Sequence, residues 1–478
     1  MIDPRLEIFG AIDDAQKREV LSRLSSTAVS IVADPSIPQR RELMIAVTHA
    51  TDLLARLFDH VVIDIDCPWA DEQNQKAQSL RPLGNAEPTT RVTLGFGDVP
   101  ADIYAGYSAT GAAISVRAPL LCDEGILAAL LAGSAAAAEV FKLVFESFLP
   151  EIVRADYVIP MTLESDLCPS QGGIVLDAIV AGGGSVGFGV VEALAALDIE
   201  LRGRVDIIDN GVIEERNLYK YGHLSRQTAL SGAYKVAILA DRLHTAHPGL
   251  EVHPHPVTIE NYEGRDAALA IVSMDNVAAR RAAQELLTRD IVNIAIDGTE
   301  FEVASLTFQQ TGCIYCYYQN NREEQADYAA ISERFGLDVN RTEHLLTTNE
   351  GLISSDIEAI SRANILRQDD VSTFLNQPLR SLIQRAAYAQ AVIQSQHGSM
   401  RLATAFVSSM AGTMGAIEAL KSSIPTQRRQ RLSAAVDMLG IFHALCERKN
   451  AKNPTCAICN STYRLNEYRR LWGDGGCA

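Results

Sequence analysis

Ala178-Ile179-Val180-Ala181-Gly182-Gly183-Gly184-Ser185-Val186-Gly187 decides the fold, because an apolar run passes at once into a glycine cluster and then into a helical pattern. Glycines 182, 184 and 187 fit G-x-G-x-x-G. In that pattern the first glycine permits the tight turn, the second lets backbone N–H groups approach a phosphate, and the third lets helix and strand pack closely. The next apolar run, Val205-Asp206-Ile207-Ile208-Asp209, ends in a carboxylate. Asp209 falls about twenty residues beyond the turn, where an acidic side chain accepts hydrogen bonds from ribose hydroxyls. Together the two runs predict a strand–turn–helix nucleotide site.

Composition bounds the remaining choices. The chain has 478 residues, 47% hydrophobic and 21% charged, enough for two or three globular domains with ample cores. Its 42 Lys and Arg stand against 59 Asp and Glu, and the net charge of −17 repels phosphate backbones and anionic membranes. No local basic patch offsets it, so neither nucleic acid nor membrane is an expected partner. The most apolar window, Gly125 to Phe145, is broken by Ser134, Glu139 and Lys142 and reads as a core helix. Residues Met1 to Arg18 show no signal-peptide pattern, and the expected setting is cytoplasmic.

Of nine cysteines, four form two CxxC pairs, Cys313-Ile314-Tyr315-Cys316 and Cys456-Ala457-Ile458-Cys459. Four thiolates suit a closed, tetrahedral, structural zinc site. The alternative is a redox pair, which normally opens a helix in a thioredoxin-like unit; Gly312 and Pro454 put both pairs on turns and favour zinc. Cys67, Cys122, Cys168, Cys446 and Cys477 read as buried or incidental thiols.

An internal repeat organises the chain. Gly133 to Lys142 and Gly412 to Lys421 share G-[S/T]-x-x-A-x-E-x-x-K, two helices with a small-residue face and a Glu–Lys pair expected on the solvated side. A duplicated α/β domain follows, with a boundary marked by Pro160, Pro169 and Gly172-Gly173. The first copy carries strand candidates at 28–33, 60–66, 91–96 and 113–117 and helices at 39–58 and 125–145. After its first strand comes Asp34-Pro35-Ser36-Ile37-Pro38, with no glycine turn to cradle phosphate, so that copy should bind no nucleotide.

In the second copy the polar motifs all lie beyond strand ends: Asn217-Leu218-Tyr219-Lys220, Gly232-Ala233-Tyr234-Lys235, and Ser273-Met274-Asp275-Asn276. Open α/β sheets place their ligands there. The ordered set formed by the glycine turn, Asp209, Asn217-Leu218, Gly232-x-x-Lys235, Ser273 to Arg280 and the two CxxC pairs resembles the ubiquitin-activating enzyme family. That family includes the sulfur-carrier adenylyltransferases MoeB and ThiF. The resemblance, closest to the activating enzymes of bacterial ubiquitination-like systems, covers about residues 172–320 and 400–460. It implies two Rossmann-like adenylation-type domains: a degenerate one over 1–165 and an active one over 166–478, with a helical insertion over 319–397. It also implies ATP- and magnesium-dependent adenylation of the C-terminal glycine of a small β-grasp protein, with hand-over to a conjugating enzyme, and a homodimer is compatible with it. On the matching positions, Gly182, Gly184, Gly187 and Asp209 would hold the nucleotide, Asn217, Lys220 and Lys235 the phosphates, and Asp275 the magnesium.

Two departures accompany the resemblance. Gly211 stands where the family usually has a second Asp, and Lys220-Tyr221 where it usually has Arg-Gln; an ammonium acts as a point charge and lacks the guanidinium fork. Arg40 and Arg41 are the positions available for the arginine that the family borrows from a neighbouring copy. The insertion contains no cysteine to take an acyl group as a thioester, and three alternatives stand: release to another protein, an oxyester on Thr347, Thr348, Ser354 or Ser355 with His344 as the nearby base, or a cysteine lost by mutation. Ser355 also fits a helix N-cap. Other readings remain: a sulfur-carrier adenylyltransferase, an NAD-dependent oxidoreductase using the same turn, and a non-catalytic modifier-binding scaffold.

Overall fold

Runs such as Ile174–Ala181 and Leu269–Val272 have almost no exposed positions, the mark of strands covered by helices on both faces. A computed structural model of the chain describes residues 3, 5–6, 14–80, 87–149, 152–161, 173–308, 311–319, 331–348, 350–363, 371–372, 374–377, 379, 382, 404–424, 433–439, 452–453 and 456–473. After α1 (Asp14–Ser26), the first part of the chain builds a six-stranded sheet from β1 (Thr27–Ala33), β2 (His60–Ile63), β3 (Thr90–Phe96), β4 (Ile103–Ser108), β5 (Gly111–Ser115) and β6 (Tyr157–Pro160). Helices α2 (Arg41–Ala55), α3 (Pro68–Leu80) and α4 (Ile126–Phe145) belong to it.

The second sheet has seven strands: β7 (Ile174–Ala181), β8 (Leu201–Ile208), β9 (Leu250–His255), β10 (Leu269–Val272), β11 (Asp290–Asp297), β12 (Glu300–Thr307) and β13 (Ala434–Asp437). Its helices are α5 (Ser185–Ala196), the short α6 (Arg226–Ala229), α7 (Lys235–Ala246) and α8 (Val277–Gln284). Further on come α9 (Ile314–Gln319), α10 (Val339–Thr348), α11 (Ser354–Arg362), α12 (Ala405–Ser423) and α13 (Thr462–Trp472).

The two sheets follow one plan. The first runs β2-β1-β3-β4-β5-β6 and the second β13-β12-β11-β10-β7-β8-β9, so β1 and β7 are the equivalent central strands and β9 alone has no counterpart. In each, four strands (β2, β1, β3, β4; β8, β7, β10, β11) pair in parallel and the last two pair antiparallel. Helices α4 and α12 are the two copies of the sequence repeat, and they pack on each other, with Phe141 and Phe406 5.6 Å apart. Each also packs closely on the helix that follows its own central strand, α4 on α2 and α12 on α5. The repeated glycine explains how close. A Cβ at Gly133 would lie 2.9 Å from the Ala46 carbonyl of α2, and one at Gly412 would lie 2.6 Å from Gly189 Cα of α5.

The Glu–Lys pairs of the repeat are not solvated, contrary to the sequence expectation. Glu139, Lys142, Glu418 and Lys421 are all buried, because α4 and α12 are covered by the sheets and by each other. Lys142 Nζ lies 3.3 Å from Glu139, whose other oxygen accepts from Arg154 at 3.0 Å. Lys421 donates to Glu418 at 2.7 Å, and Ser305 of β12 donates to the same carboxylate at 2.8 Å. Burial lowers Lys142 despite the Glu139 partner, as desolvation of an ammonium requires. Two ion pairs at the same place in both copies are tolerated there because each charge has its partner one helical turn away. Helix α4 is long and apolar enough to cross a bilayer, but it is buried within the fold.

Two compact units divide the chain: residues 20–316 with 403–478, which hold both sheets, and residues 1–19 with 317–402. The smaller unit has its own apolar core of Phe335, Leu345, Leu352, Ile360, Val371, Leu379 and Leu382. Arg341 of α10 holds Asp356 of α11 at 2.8 Å. Ser355 is not an N-cap: Ile353 takes that position, and the Asp356 carboxylate, a stronger acceptor than a hydroxyl, receives the Ile353 N–H at 3.0 Å. Of the helical insertion expected over 319–397, residues 320–330 and 383–397 lie outside the described residues.

Gly412→Ala should cost about 2 kcal/mol, since the added methyl meets backbone that cannot yield. Denaturant unfolding monitored by circular dichroism measures it. A cost below about 0.5 kcal/mol would show that the α5–α12 contact is looser than described.

Candidate nucleotide and metal sites

The turn after β7 has the geometry that its glycines require. Gly182 adopts φ +108°, a region closed to other residues, and its carbonyl lies where a Cβ on Gly187 would be 2.1 Å away. Gly187 is therefore obligatory for the approach of α5 to β7. Gly184 differs: it is the N-cap of α5, and a Cβ there would meet nothing within 4 Å. The backbone N–H groups of this first turn, with the positive end of the helix dipole, face open space of the kind that receives a phosphate. Ser273, just beyond β10, donates to the Gly182 carbonyl at 2.9 Å and ties the turn to the neighbouring strand. Strands β8 and β10 flank β7 on opposite sides, so the turn stands at the point where strand order reverses.

Asp209 follows β8 and accepts the Gly183 N–H and the Gly211 N–H, both at 2.7 Å. A carboxylate has acceptor capacity beyond two bonds, which suits ribose hydroxyls. Lys235, first residue of α7, leans over Gly211: a Cβ at 211 would lie 2.9 Å from Lys235 Nζ and 2.8 Å from Asp209 Oδ1. This gives the departure at Gly211 a steric reason, because the lysine side chain occupies the room that a side chain at 211 would need. Burial alone would lower Lys235, but Tyr221 and Asp209 outweigh it and hold the ammonium above its usual range. Nζ lies 5.9 Å from the Tyr221 ring centre, and that buried ring packs on Phe188 of α5 at 4.8 Å.

Asn217 and Lys220 lie on or next to a short 3-10 turn, Glu215–Tyr219. Asn217 Oδ1 accepts the Glu214 N–H at 2.8 Å, and the Lys220 N–H returns to the Asn217 carbonyl at 3.0 Å. Asp275 is exposed after β10, with Asn276 Nδ2 3.0 Å away. The structure thus brings Asp209, Lys235 and the glycine turn into one contact group. It places Asn217 and Lys220 after β8 and Asp275 after β10, beyond the strand ends that flank the turn. Arg40 donates to the Cys122 and Asp123 carbonyls, and Arg41 to Ala196 and Asp198, so both arginines are engaged elsewhere. Arg280, buried, holds Asn293 and the Ile294 carbonyl in the middle of β11. Sequence reading missed Tyr221 as a contact of Lys235; the aromatic in place of the expected glutamine was the available signal.

The two CxxC pairs meet although 143 positions separate them. Cys313 and Cys456 are 3.7 Å apart, Cys316 and Cys459 3.5 Å, and Cys313 and Cys316 3.8 Å, with all four Sγ atoms within 4.8 Å of one another. A tetrahedron with metal–sulfur bonds near 2.3 Å has edges of about 3.8 Å. Backbone N–H groups of Asn453 and Cys459 point at Cys316 and Cys456 sulfurs at 3.3 and 3.5 Å, as donors stabilising thiolates do. Burial pushes the Cys316 thiol up, so four thiolates could stand together here only beside a cation. Phe308, Ile458 and Tyr468 seal the cluster, and α13 is anchored beside it by Tyr468 on Arg289 and Trp472 on Leu287. Cys67 and Cys122 are free thiols; Cys168, Cys446 and Cys477 lie outside the described residues.

Residues Thr347, Thr348, Ser354 and Ser355 belong to the smaller unit. The Thr348 hydroxyl donates to the His344 carbonyl at 2.8 Å, and His344 Nε2 pairs with Glu350 at 2.8 Å, so neither group is directed at the other. Ser354 and Ser355 open α11. The Thr347 side chain lies outside the described residues.

Residues 176–458, more than half of the chain, match the ThiF family. A protein of Sinorhizobium fredii (strain NBRC 101917 / NGR234), the uncharacterized y4jF, is 27% identical over 357 residues, covering 71% of this chain and 68% of that one. Among solved structures, E. coli MccB with succinimide is 14% identical at TM-score 0.37, covering 59% of this chain and 66% of that chain, a little under two thirds of its length. The microcin C7 biosynthetic enzyme MccB in complex with N-formylated MccA is also 14% identical at TM-score 0.37, covering 59% and 67%.

Gly184 and Gly187 should part company on substitution. Gly187→Ala should destabilise by about 1–3 kcal/mol because its methyl meets the Gly182 carbonyl. Gly184→Ala should leave the melting temperature unchanged yet weaken ATP binding by roughly tenfold or more, since its methyl fills only the space left for a phosphate. Calorimetric titration beside thermal unfolding reads both.

Proposed function

Because the chain belongs to the ThiF family, we propose that it is an adenylyltransferase that uses ATP and magnesium to activate the C-terminal carboxylate of a small carrier protein or peptide. The reading is carried by one observation: the glycine turn, the Asp209 carboxylate and the Lys235 ammonium are in mutual contact at the switch point of the second sheet. A nucleotide phosphate at the turn, a ribose at Asp209 and a cation beside both fit that arrangement. An oxidoreductase using the same turn would leave Lys235 beside Asp209 without a task.

The chemistry needs little more than positioning and positive charge. A carboxylate attacks the α-phosphorus, a new acyl–phosphate bond forms and pyrophosphate leaves, while two anions repel each other. No general base is required, since the attacking carboxylate is already ionised at neutral pH. Lys235 and Lys220 would offset charge on the phosphates, Asn217 would orient them, and Asp275, exposed at the end of β10, would hold the magnesium. When bound, the magnesium would offset the negative charge that develops on the pyrophosphate leaving group.

We further propose that the carrier is a β-grasp, ubiquitin-like protein ending in glycine, and that the adenylate passes to a separate conjugating enzyme. Support for the hand-over comes from the insertion over 319–397, which is domain-sized and contains no cysteine. Transfer of sulfur to the carrier is the second reading, supported by the same lack of a thiol. The four-cysteine cluster would hold structural zinc, its reduced thiols suiting the cytoplasm. The first 165 residues would serve as a degenerate copy that binds no nucleotide, and two copies of the chain would be free to pair.

Carrier-dependent exchange of labelled pyrophosphate into ATP tests the activity. The chain should catalyse it, and Asp275→Ala should reduce it by at least roughly a hundredfold while the melting temperature stays unchanged. Exchange that persists in that variant would remove Asp275 from the metal site, and exchange absent from the native chain with a panel of glycine-ending β-grasp carriers would remove the carrier class.

Metal analysis should find one zinc per chain. Cys316→Ser should lower stability by about 3 kcal/mol or more while ATP affinity changes less than threefold, because a closed thiolate site contributes to folding rather than to catalysis. A chain without zinc that carries a disulfide between these cysteines would reverse the assignment.

A further inference from the structure

The first third of the chain, which lacks a glycine turn, takes no part in the chemistry above, yet its helix α2 grips the segment that carries Asn217 and Lys220. His49, Asp52 and Arg56 are spaced three and four positions apart and share one face of α2. Arg56 is buried, and its guanidinium donates to the Leu218 carbonyl and, at 3.1 Å, to the Leu224 carbonyl. Its Nε and Nη2 donate to Asp52 at 3.0 and 2.7 Å. Asp52 also accepts the His223 N–H at 2.8 Å. Burial alone would raise Asp52, but Arg56 and His223 outweigh it and hold the carboxyl down to about 2.

His223 supplies a second, independent sign. It adopts φ +61°, in the left-handed region that costs a non-glycine residue energy. Such a conformation persists where the surroundings over-determine it, and such positions cluster at ligand clamps. Here they do: His49 Nδ1 meets His223 Nε2 at 2.7 Å, and the two rings stack at 5.0 Å. The far nitrogen of His49 contacts the hydroxyls of Ser134 on α4 and Ser409 on α12 at 2.9 and 3.0 Å. Residues 218–224 are thus pinned at both ends and at His223 by one helix face. Tyr221, the contact of Lys235, lies inside the pinned stretch.

We propose that α2 is a positioning clamp for the nucleotide site: Arg56, backed by Asp52, sets the main chain at Leu218 and Leu224 and so aims Asn217, Lys220 and Tyr221 at the phosphates of ATP bound by the glycine turn. The clamp rests on the adenylation reading, because it acts on residues assigned to phosphate binding there. Arg56 touches no ligand; it acts through the segment it holds. A guanidinium is suited to the task because its planar fork reaches two carbonyls and a carboxylate at once, which an ammonium cannot do.

The full chain should be titrated with ATP and magnesium, and amide hydrogen exchange followed by mass spectrometry. In Arg56→Lys, exchange at residues 217–224 should rise while the sheets stay protected, and ATP affinity should fall by roughly tenfold. The loss should nearly vanish when Arg56→Lys is added to Asn217→Ala, Lys220→Ala, but should add fully to Gly184→Ala, whose defect is at the turn. Asp52→Asn, a milder change, should show the same pattern at smaller amplitude and stands in if Arg56→Lys does not fold. Native-like ATP affinity in folded Arg56→Lys, or full additivity with the segment variants, would overturn the clamp while leaving ATP binding intact. A native chain that binds no ATP would overturn the adenylation reading and the clamp with it.

Discussion

Backbone contact between helices is the constraint on which the rest of the structure depends. Helix α12 can lie against α5 because Gly412 and Gly189 face each other without side chains, and α4 can lie against α2 because Gly133 faces Ala46. Larger residues at these points would meet backbone and force the helices to shift, which costs about 1–3 kcal/mol per site. The same close approach continues into the turn at Gly182, where Gly187 brings α5 against the end of β7 and leaves the N-terminus of that helix facing open space at Gly184. Helix packing and the proposed phosphate cradle are in this sense one feature, since the glycine that seats the helix also sets where the N–H groups of its first turn point.

Charge is distributed by the same geometry. Helices covered on every side have no solvated face, and the Glu139–Lys142 and Glu418–Lys421 pairs are buried with their partners one turn away. Arg56, also buried, uses its donors on two carbonyls and a carboxylate and fixes a loop instead of a core. Lys235 sits differently, partly buried between Asp209 and Tyr221, where an ammonium is retained without being fully neutralised. Under the adenylation proposal, an arriving phosphate would meet a cation whose desolvation the protein has already partly met, the sense in which such a site would be preorganised.

The cluster of cysteines plays a mechanical part distinct from either sheet. It joins the start of α9 to the turn before α13, and α13 then anchors itself on the Arg289 and Leu287 carbonyls next to β11. The cluster thereby fastens the last described helix beside the start of β11, an inner strand of the second sheet, although 143 positions separate the two cysteine pairs.

Local sequence was sufficient for the glycine turn, the strand that precedes it, Asp209 and the two CxxC pairs, because each is a short pattern whose physics is confined to a few residues. The repeat at Gly133 and Gly412 was legible for the same reason, and it led to the shared plan of the two sheets. What local pattern could not decide was which surfaces would be covered. An i, i+3 Glu–Lys pair looks the same on a solvated helix and a buried one, and only the packing of α4 against α12 put both pairs inside. His49, Asp52 and Arg56 likewise read as one face of an amphipathic helix until the fold set that face against His223, 167 to 174 positions along the chain, which no periodicity encodes. Gly211 looked like a missing carboxylate and became, in three dimensions, the room that Lys235 requires. Sequence determines what a residue can do with its own backbone and near neighbours; tertiary structure decides what it meets, because burial and long-range contact are properties of the whole packed chain.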